Sequence, residues 1–424
     1  MASELAQFAI VHELHENMTL AGHEPSFFTT SDGEREESGW GPTISYFPDA
    51  KRMISGSGDK TARVWDLQTG KEIEEARVIC EQEIHAVAVS RDGRWVITAG
   101  RDVETCLPGE LKAYEVKKGL VKTFKGHSRE FICIDISLDS KLLASGSWEG
   151  TTQIWNLDTG KLVAGEFQSY DLVGAVRFSR DSKRIAVNSW TGRRLEVWDI
   201  GEQDLEVGIG KAAQTGTFPL DAPVFWTTND RTVVAVFNFS NSDDSDKVYE
   251  FDPSTLDTVG VPFKGHTTHI NDLALSFDCT LLVSAAHDHT IKLWAFESRQ
   301  VLASFNVHRP CTVTLSPDAR QVAYTKFDPP YKIHICDVPS DIIAHMKPSQ
   351  VTVGVCICSL YLPSHMLISS RRLTHAEIHT SMTHSMYAIH SSMPLTTQVL
   401  IHCHSLLHQL VALPRTVIQQ QHLS

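Results

Sequence analysis

Long apolar runs are scarce in this chain of 424 residues. The most apolar stretch, Val351 to Leu362, is twelve residues long and is closed by Pro363. A membrane-spanning helix needs about 20 residues, so no membrane partner is expected. Basic charge is also short: 38 Lys and Arg stand against 51 Asp and Glu, a net charge of −13. Phosphate backbones need a basic surface, so no nucleic-acid partner is expected. Cysteine is sparse, nine residues without a framework spacing. An odd, scattered set suits a reducing compartment better than a disulfide scaffold. The start, Met1-Ala2-Ser3-Glu4-Leu5, lacks the basic and apolar regions of a secretory signal. The expectation is a soluble intracellular protein, cytoplasmic or nuclear, with the sequons at Asn17 and Asn238 unused.

What is present is divided unevenly. Residues 343–424 carry a charge of +3 and the rest −16, and ten of the 21 histidines follow residue 342. The chain therefore reads as a body, 1–342, and a compositionally foreign tail, 343–424. The tail is rich in Ser, Thr, His, Leu and Ile and keeps no helical or alternating period. It reads as poorly ordered, or as a gene-model extension never selected for folding. Its Val351–Leu362 run is uncharged and β-prone, an aggregation hazard.

The body repeats itself. Residues 53–66 run MISGSGDKTARVWD, residues 143–156 LASGSWEGTTQIWN, and residues 283–294 VSAAHDHTIKLW. Each has an apolar run, a polar turn and a second apolar run ending in Trp. Asp59, Glu149 and Asp288 each lie six residues before Trp65, Trp155 and Trp294. Weaker copies end at Tyr114, Trp198, Phe251 and Cys336, with spacings of 49, 41, 43, 53, 43 and 42 residues. A period near 40–45 is that of a four-stranded propeller blade. Neighbouring blades cover both faces of such strands, which explains apolar residues on both sides of the alternation. The two long spacings hold an insertion at 103–109 and the acidic turn 240–246.

The pattern over about residues 11–342 resembles the WD-repeat family. Gly126-His127, Gly265-His266, Trp65-Asp66 and Trp198-Asp199 carry the resemblance. Turn phrases at Asp92-Gly93, Asp139-Ser140, Asp181-Ser182 and Ser316-Pro317-Asp318 add to it. It implies an all-β, seven-bladed propeller of four-stranded antiparallel blades. The last repeat has no fourth strand downstream, so a strand from about residues 8–20 is expected to close the ring and hide two edges.

His266, Ser284, Asp288 and Trp294 invite a catalytic-triad reading. The same set recurs as His127, Ser145, Glu149 and Trp155, with 28 residues from His to Trp both times. A catalytic site would not be duplicated at the blade period. The resemblance implies instead a hydrogen-bonded chain inside each blade, with Asp59 and Trp65 in the first copy. Residues 56–61, GSGDKT, look faintly like a phosphate loop, but β-branched residues and a Trp follow where a helix is required. Cys356-x-Cys358 and His402-Cys403-His404 match no closed zinc module. No catalytic residue, metal or cofactor is expected.

In this family, the residues just before the turn acids lie on the ring face where partners dock. That marks Arg101, Trp148, Trp190, His287 and Phe327, with Gly58 and Phe239 aligned to them. Trp40, His269 and Arg309, with Glu130, would border the same face. Aromatic and Arg side chains dominate interface hot spots because they bury large area at low entropic cost. The expected function is a non-catalytic scaffold or adaptor for a protein or peptide, a basic one given the acidic rim. A monomer within a larger complex is expected. Two alternatives stand beside it. One is a sensor module, since the chain also resembles the WD-repeat halves of fungal nucleotide-binding signalling proteins. The other is a propeller hydrolase or lyase.

Overall fold

The computed structural model describes residues 14–345, except 26, 30–34, 38–40, 75–77, 102–107, 211–222 and 240–246. Residues 8–13 of the expected closing strand, the indole-bearing Trp40, most of the 103–109 insertion, the acidic turn 240–246 and nearly all of the tail lie outside the described residues.

The described chain forms seven antiparallel blades, with one short helix and a brief 3-10 turn. Blade one is built on strands Thr43–Tyr46, Arg52–Gly56 and Thr61–Asp66, with outer pieces Lys71–Glu72 and Val78–Ile79. Blade two runs from Glu83–Val89 to Leu120–Phe124, blade three from Phe131–Ile136 to Leu162–Gln168, and blade four from Val173–Phe178 to Asp204–Gly210. Blade five has three strands, Val224–Trp226, Val233–Phe237 and Lys247–Phe251. Isolated bridges from Phe251 to Thr258 and from Val248 to Phe263 stand where its outer strand would be. Blade six spans Ile270–Leu275 to Gln300–Asn306. A separate hairpin pairs Phe27–Thr29 with Arg35–Glu37.

Blade seven takes three strands from one end of the body and one from the other. Pro310–Leu315, Gln321–Lys326 and Ile333–Asp337 are completed by Glu16–Leu20. Met18 faces Ile335 and Leu20 faces Ile333 across the antiparallel register. Leu20 is 1% exposed and joins Ile333 and Ile335 of blade seven to Ile44, Met53 and Trp65 of blade one.

Seven apolar clusters occupy the described core, and each mixes side chains of two adjacent blades. Between blades three and four, Ile154 and Phe167 pack with Val176 and Trp198. This double-sided burial lets a strand such as Leu281–Ala286 be buried at every position. Close approach has a residue requirement too. At Gly146 a β-carbon would stand 2.4 Å from Val173 Cγ1 and 2.6 Å from Cys133 Sγ, so only glycine admits the next blade's first strand. Beyond blade seven, the helix Ser340–His345 buries Ile342 in the cluster between blades six and seven. The five described cysteines are free thiols. No described helix is long and apolar enough to cross a membrane.

The first strands of the blades line a central cavity of about 400 Å³. The turns joining second to third strands share one face of the ring with the links between blades. The turns joining first to second strands share the opposite face.

Candidate partner-binding face

A hydrogen-bonded chain runs through blade six. Trp294 Nε1 donates to Ser284 Oγ at 2.8 Å, Ser284 Oγ meets His266 Nε2 at 2.6 Å, and His266 Nδ1 meets Asp288 Oδ2 at 2.9 Å. Indole can only donate and carboxylate can only accept. The serine hydroxyl therefore donates to Nε2 and the Nδ1 proton points to the acid. Blade three repeats the chain through Trp155, Ser145, His127 and Glu149, at 3.0, 2.9 and 2.6 Å. Blade one does so through Trp65, Ser55, His23 and Asp59, at 2.8, 2.7 and 2.8 Å.

His23 was absent from the set drawn from the sequence. His127 and His266 lie 22 residues before their acids, but His23 lies 36 before Asp59. The excess chain contains the Phe27–Thr29/Arg35–Glu37 hairpin. The Gly22-His23 pair was the signal that could have found it. Blade four has a different arrangement: Trp198 donates to Glu196 at 3.2 Å, and Glu196 pairs with Arg194 at 2.5 Å.

These chains perturb their members' acidity. Burial alone would raise the Glu149 carboxyl. Hydrogen bonds from Ser128, Thr151 and His127 outweigh burial and hold it at about 2. Asp59 is likewise held at about 2, with burial opposed by His23, Thr61 and the Glu24 amide. Burial lowers His127 and His266, against the pull of Glu149 and Asp288. Every polar atom of these chains faces another inside the blade, which is how buried polar groups specify geometry.

In blades three, four, six and seven, the residue after the second strand lies at this end of the blade. Its position is fixed by one recurring backbone bond. The amides of Trp148, Trp190, His287 and Phe327 donate to the carbonyls of Glu130, Leu172, His269 and Arg309, at 3.1, 2.8, 2.9 and 3.0 Å. The face residues of neighbouring blades are thereby brought together in pairs. Trp148 of blade three stacks on Trp190 of blade four, centroids 5.9 Å apart and planes inclined by 27°. His287 of blade six lies on Phe327 of blade seven, centroids 5.8 Å apart.

Trp190 differs from the expectation of a partner contact. It is 6% exposed, because it lies beneath its neighbour's indole. Trp148 retains partial exposure above it. Arg309 is exposed, stands over the Phe327 ring at 5.7 Å, and donates to Asp328 at 2.6 Å. His289 and His308, both exposed, stack beside it at 5.0 Å. Phe239 of blade five is 58% exposed and packs edge-on against Phe237. Arg101 ends a strand of blade two, but its side chain, like Trp40, lies outside the described residues.

The sequence reading also missed polar groups in the central cavity: His85, Asp135, Arg177 and Asp272. They sit singly on different blades, with no shared sequence spacing to connect them. The two acids are engaged in holding blades together. Asp135 accepts from the Phe178 amide at 2.8 Å and Asp272 from the Val313 amide at 2.9 Å. Among the described residues, no three or more His, Cys, Asp or Glu are arranged to hold a metal ion.

Seven blades and recurring intrablade chains define a β-propeller repeat protein whose adaptable surface is its loops. Residues 43–66, 118–156 and 257–295 match the WD40 family, described as WD domain, G-beta repeat. The chain carries WD repeats over those residues. It is 23% identical over 243 residues to eukaryotic translation initiation factor 3 subunit I of Drosophila ananassae, covering 56% of this chain and 72% of that one. It is 25% identical over 273 residues to WD repeat-containing protein 18 of Danio rerio, covering 60% of each. It is 29% identical over 164 residues to human pre-mRNA-processing factor 17, covering 37% of this chain and 27% of that one.

Proposed function

We propose that this protein is a non-catalytic scaffold that presents one face of its ring to a protein or peptide partner inside the cell, in the cytoplasm or nucleus. The Trp148–Trp190 stack carries the reading. A buried indole on one blade supports a partly exposed indole on the next, so Trp148 is held in place before a partner arrives. An anchor that is already ordered loses little entropy on binding. The second pair, His287 on Phe327, adds aromatic surface on blades six and seven, with the Arg309 guanidinium beside the Phe327 ring. The names of the relatives support the coarse reading: one is a subunit of a translation initiation factor. Fold alone does not name a partner.

The test is affinity purification of the chain with partners identified by mass spectrometry, run beside Trp148→Ala and Lys161→Ala. Lys161 is exposed in the turn joining the third and fourth strands of blade three, on the opposite face. The main partner should be lost with Trp148→Ala and kept with Lys161→Ala. A folded Trp148→Ala protein that keeps every partner would remove this face from the function.

A further inference from the structure

On the opposite face, five blades turn from first to second strand through the same local device. The turns are Ser90-Arg91-Asp92, Ser137-Leu138-Asp139, Ser179-Arg180-Asp181, Ser276-Phe277-Asp278 and Ser316-Pro317-Asp318. In each, the serine hydroxyl donates to the aspartate at 2.6 or 2.7 Å. The residue after the aspartate has positive φ, and its amide closes the turn onto the serine carbonyl. The aspartates are thus consumed in shaping the turns. The middle residue is left to point outward beside the end of the central cavity.

Three of those middle residues, from blades that are not neighbours, meet over the cavity's end. The Arg91 guanidinium of blade two lies 3.8 Å from the centre of the Phe277 ring of blade six. The Arg180 guanidinium of blade four lies 4.2 Å from the same centre. Arg180 also donates to the Phe277 carbonyl. The two positive charges therefore stand within about 8 Å of each other. Among the described residues, no carboxylate forms an ion pair with either guanidinium. The nearby Asp230 is taken by the backbone amides of Arg180 and Asp181, at 2.7 and 3.2 Å. Apolar surface is exposed on the same face: Phe277 is 48% exposed, and Leu138, in the blade-three turn that the Asp92 amide reaches through Ser140, is 38% exposed.

We propose that Arg91, Arg180 and Phe277 form a second docking site, for an acidic peptide segment of a partner protein. One carboxylate would bridge the two guanidiniums, and an adjoining apolar side chain would cover Phe277 and Leu138. Two like charges held at one ring repel each other, and a carboxylate between them relieves that repulsion through charge-assisted hydrogen bonds. The Phe277 ring, and for Arg180 the Phe277 carbonyl as well, hold both guanidiniums in place without help from the ligand. A nucleic acid would carry its phosphate charge on past the two guanidiniums and over a body whose net charge is −16, whereas a short acidic segment needs only one carboxylate at this spot. The site is independent of the Trp148 face and selects the opposite charge from the basic partner that the overall composition suggests.

The test uses the full chain and a fluorescein-labelled octapeptide of alternating Glu and Leu, read by anisotropy. A Lys-Leu octapeptide and an oligo-dT octamer serve as competitors. The Glu peptide should bind, weaken as salt rises, and lose at least tenfold in affinity with Arg91→Ala/Arg180→Ala. Arg309→Ala on the other face should leave binding unchanged. Should the double variant fail to fold, Arg91→Ala alone carries the test, with an expected loss of at least threefold. Peptide affinity that is absent, insensitive to these substitutions, or displaced more strongly by oligo-dT than by unlabelled Glu peptide would overturn the proposal.

Discussion

Trp148 and Trp190 lie on consecutive blades, 42 residues apart in sequence, yet their indoles stack at 5.9 Å. The relationship makes one residue the support and the other the surface. Removing the upper indole forfeits the stack, about 0.5–1.5 kcal/mol, and uncovers Trp190. Trp148→Ala should therefore lower stability slightly while weakening capture of the main partner by about 2 kcal/mol or more, the scale of an interface hot spot. Urea unfolding and a quantitative pull-down measure the two effects. Loss of stability exceeding loss of binding would make the stack structural only.

Asp288→Ala should leave His266 Nδ1 buried without its acceptor and cost about 1–3 kcal/mol. Lys60→Ala, at an exposed turn position of blade one, should cost less than about 0.5 kcal/mol. Denaturant midpoints compare the two. Equal costs would show that the His–acid bond contributes nothing beyond turn geometry.

Deleting residues 1–20 removes the outer strand of blade seven and takes Leu20 from the cluster joining it to blade one. The outer edge of Ile333–Asp337 is then exposed. The expected result is insoluble protein or a sharply lower thermal midpoint; an unchanged melt would mean that the ring closes without this strand.

Gly146→Ala puts a β-carbon into Val173 and Cys133 of packed strands. Overpacking of this kind costs about 1–3 kcal/mol. Gly201→Ala is the control, since its φ lies outside the left-handed region and a β-carbon built there meets only the Asp199 carboxylate, at 3.3 Å. If the two variants melt together, the blades tolerate wider separation than the packing suggests.

Acid should destabilise the protein in two stages. His127 and His266 titrate below the ordinary imidazole value of 6.5, chiefly through burial. The folded state then binds fewer protons than the unfolded chain. Their contribution is complete above about pH 6.5 and is lost as pH falls through the lower folded values. Glu149 and Asp59, held at about 2 against ordinary values of 4.5 and 3.8, act the same way further down. Thermal melts from pH 8 to 3 should show a midpoint that declines below about 6.5 and more steeply below about 4.5. A midpoint that rises on acidification contradicts this assignment.

The blade count was legible in the chain because each blade is a local unit. The six-residue step from Asp59, Glu149 or Asp288 to its Trp is set by one hairpin, and a hairpin is written in consecutive residues. The three-strand repeat ending at Cys336 even left visible the vacancy that Glu16–Leu20 fills. What the repeat could not carry was anything joining separate blades. His23 escaped because a hairpin stretches its distance to Asp59. The burial of Trp190 beneath Trp148 escaped because stacking between blades depends on the ring's curvature. Arg91, Arg180 and Phe277 occupy an unremarkable turn position in three separate repeats, and only closure of the ring brings their side chains together at one point. Sequence period determined the fold, because it records contacts made within about 40 residues. The two surfaces proposed for docking were decided by tertiary structure, because they are assembled from contacts made across blades.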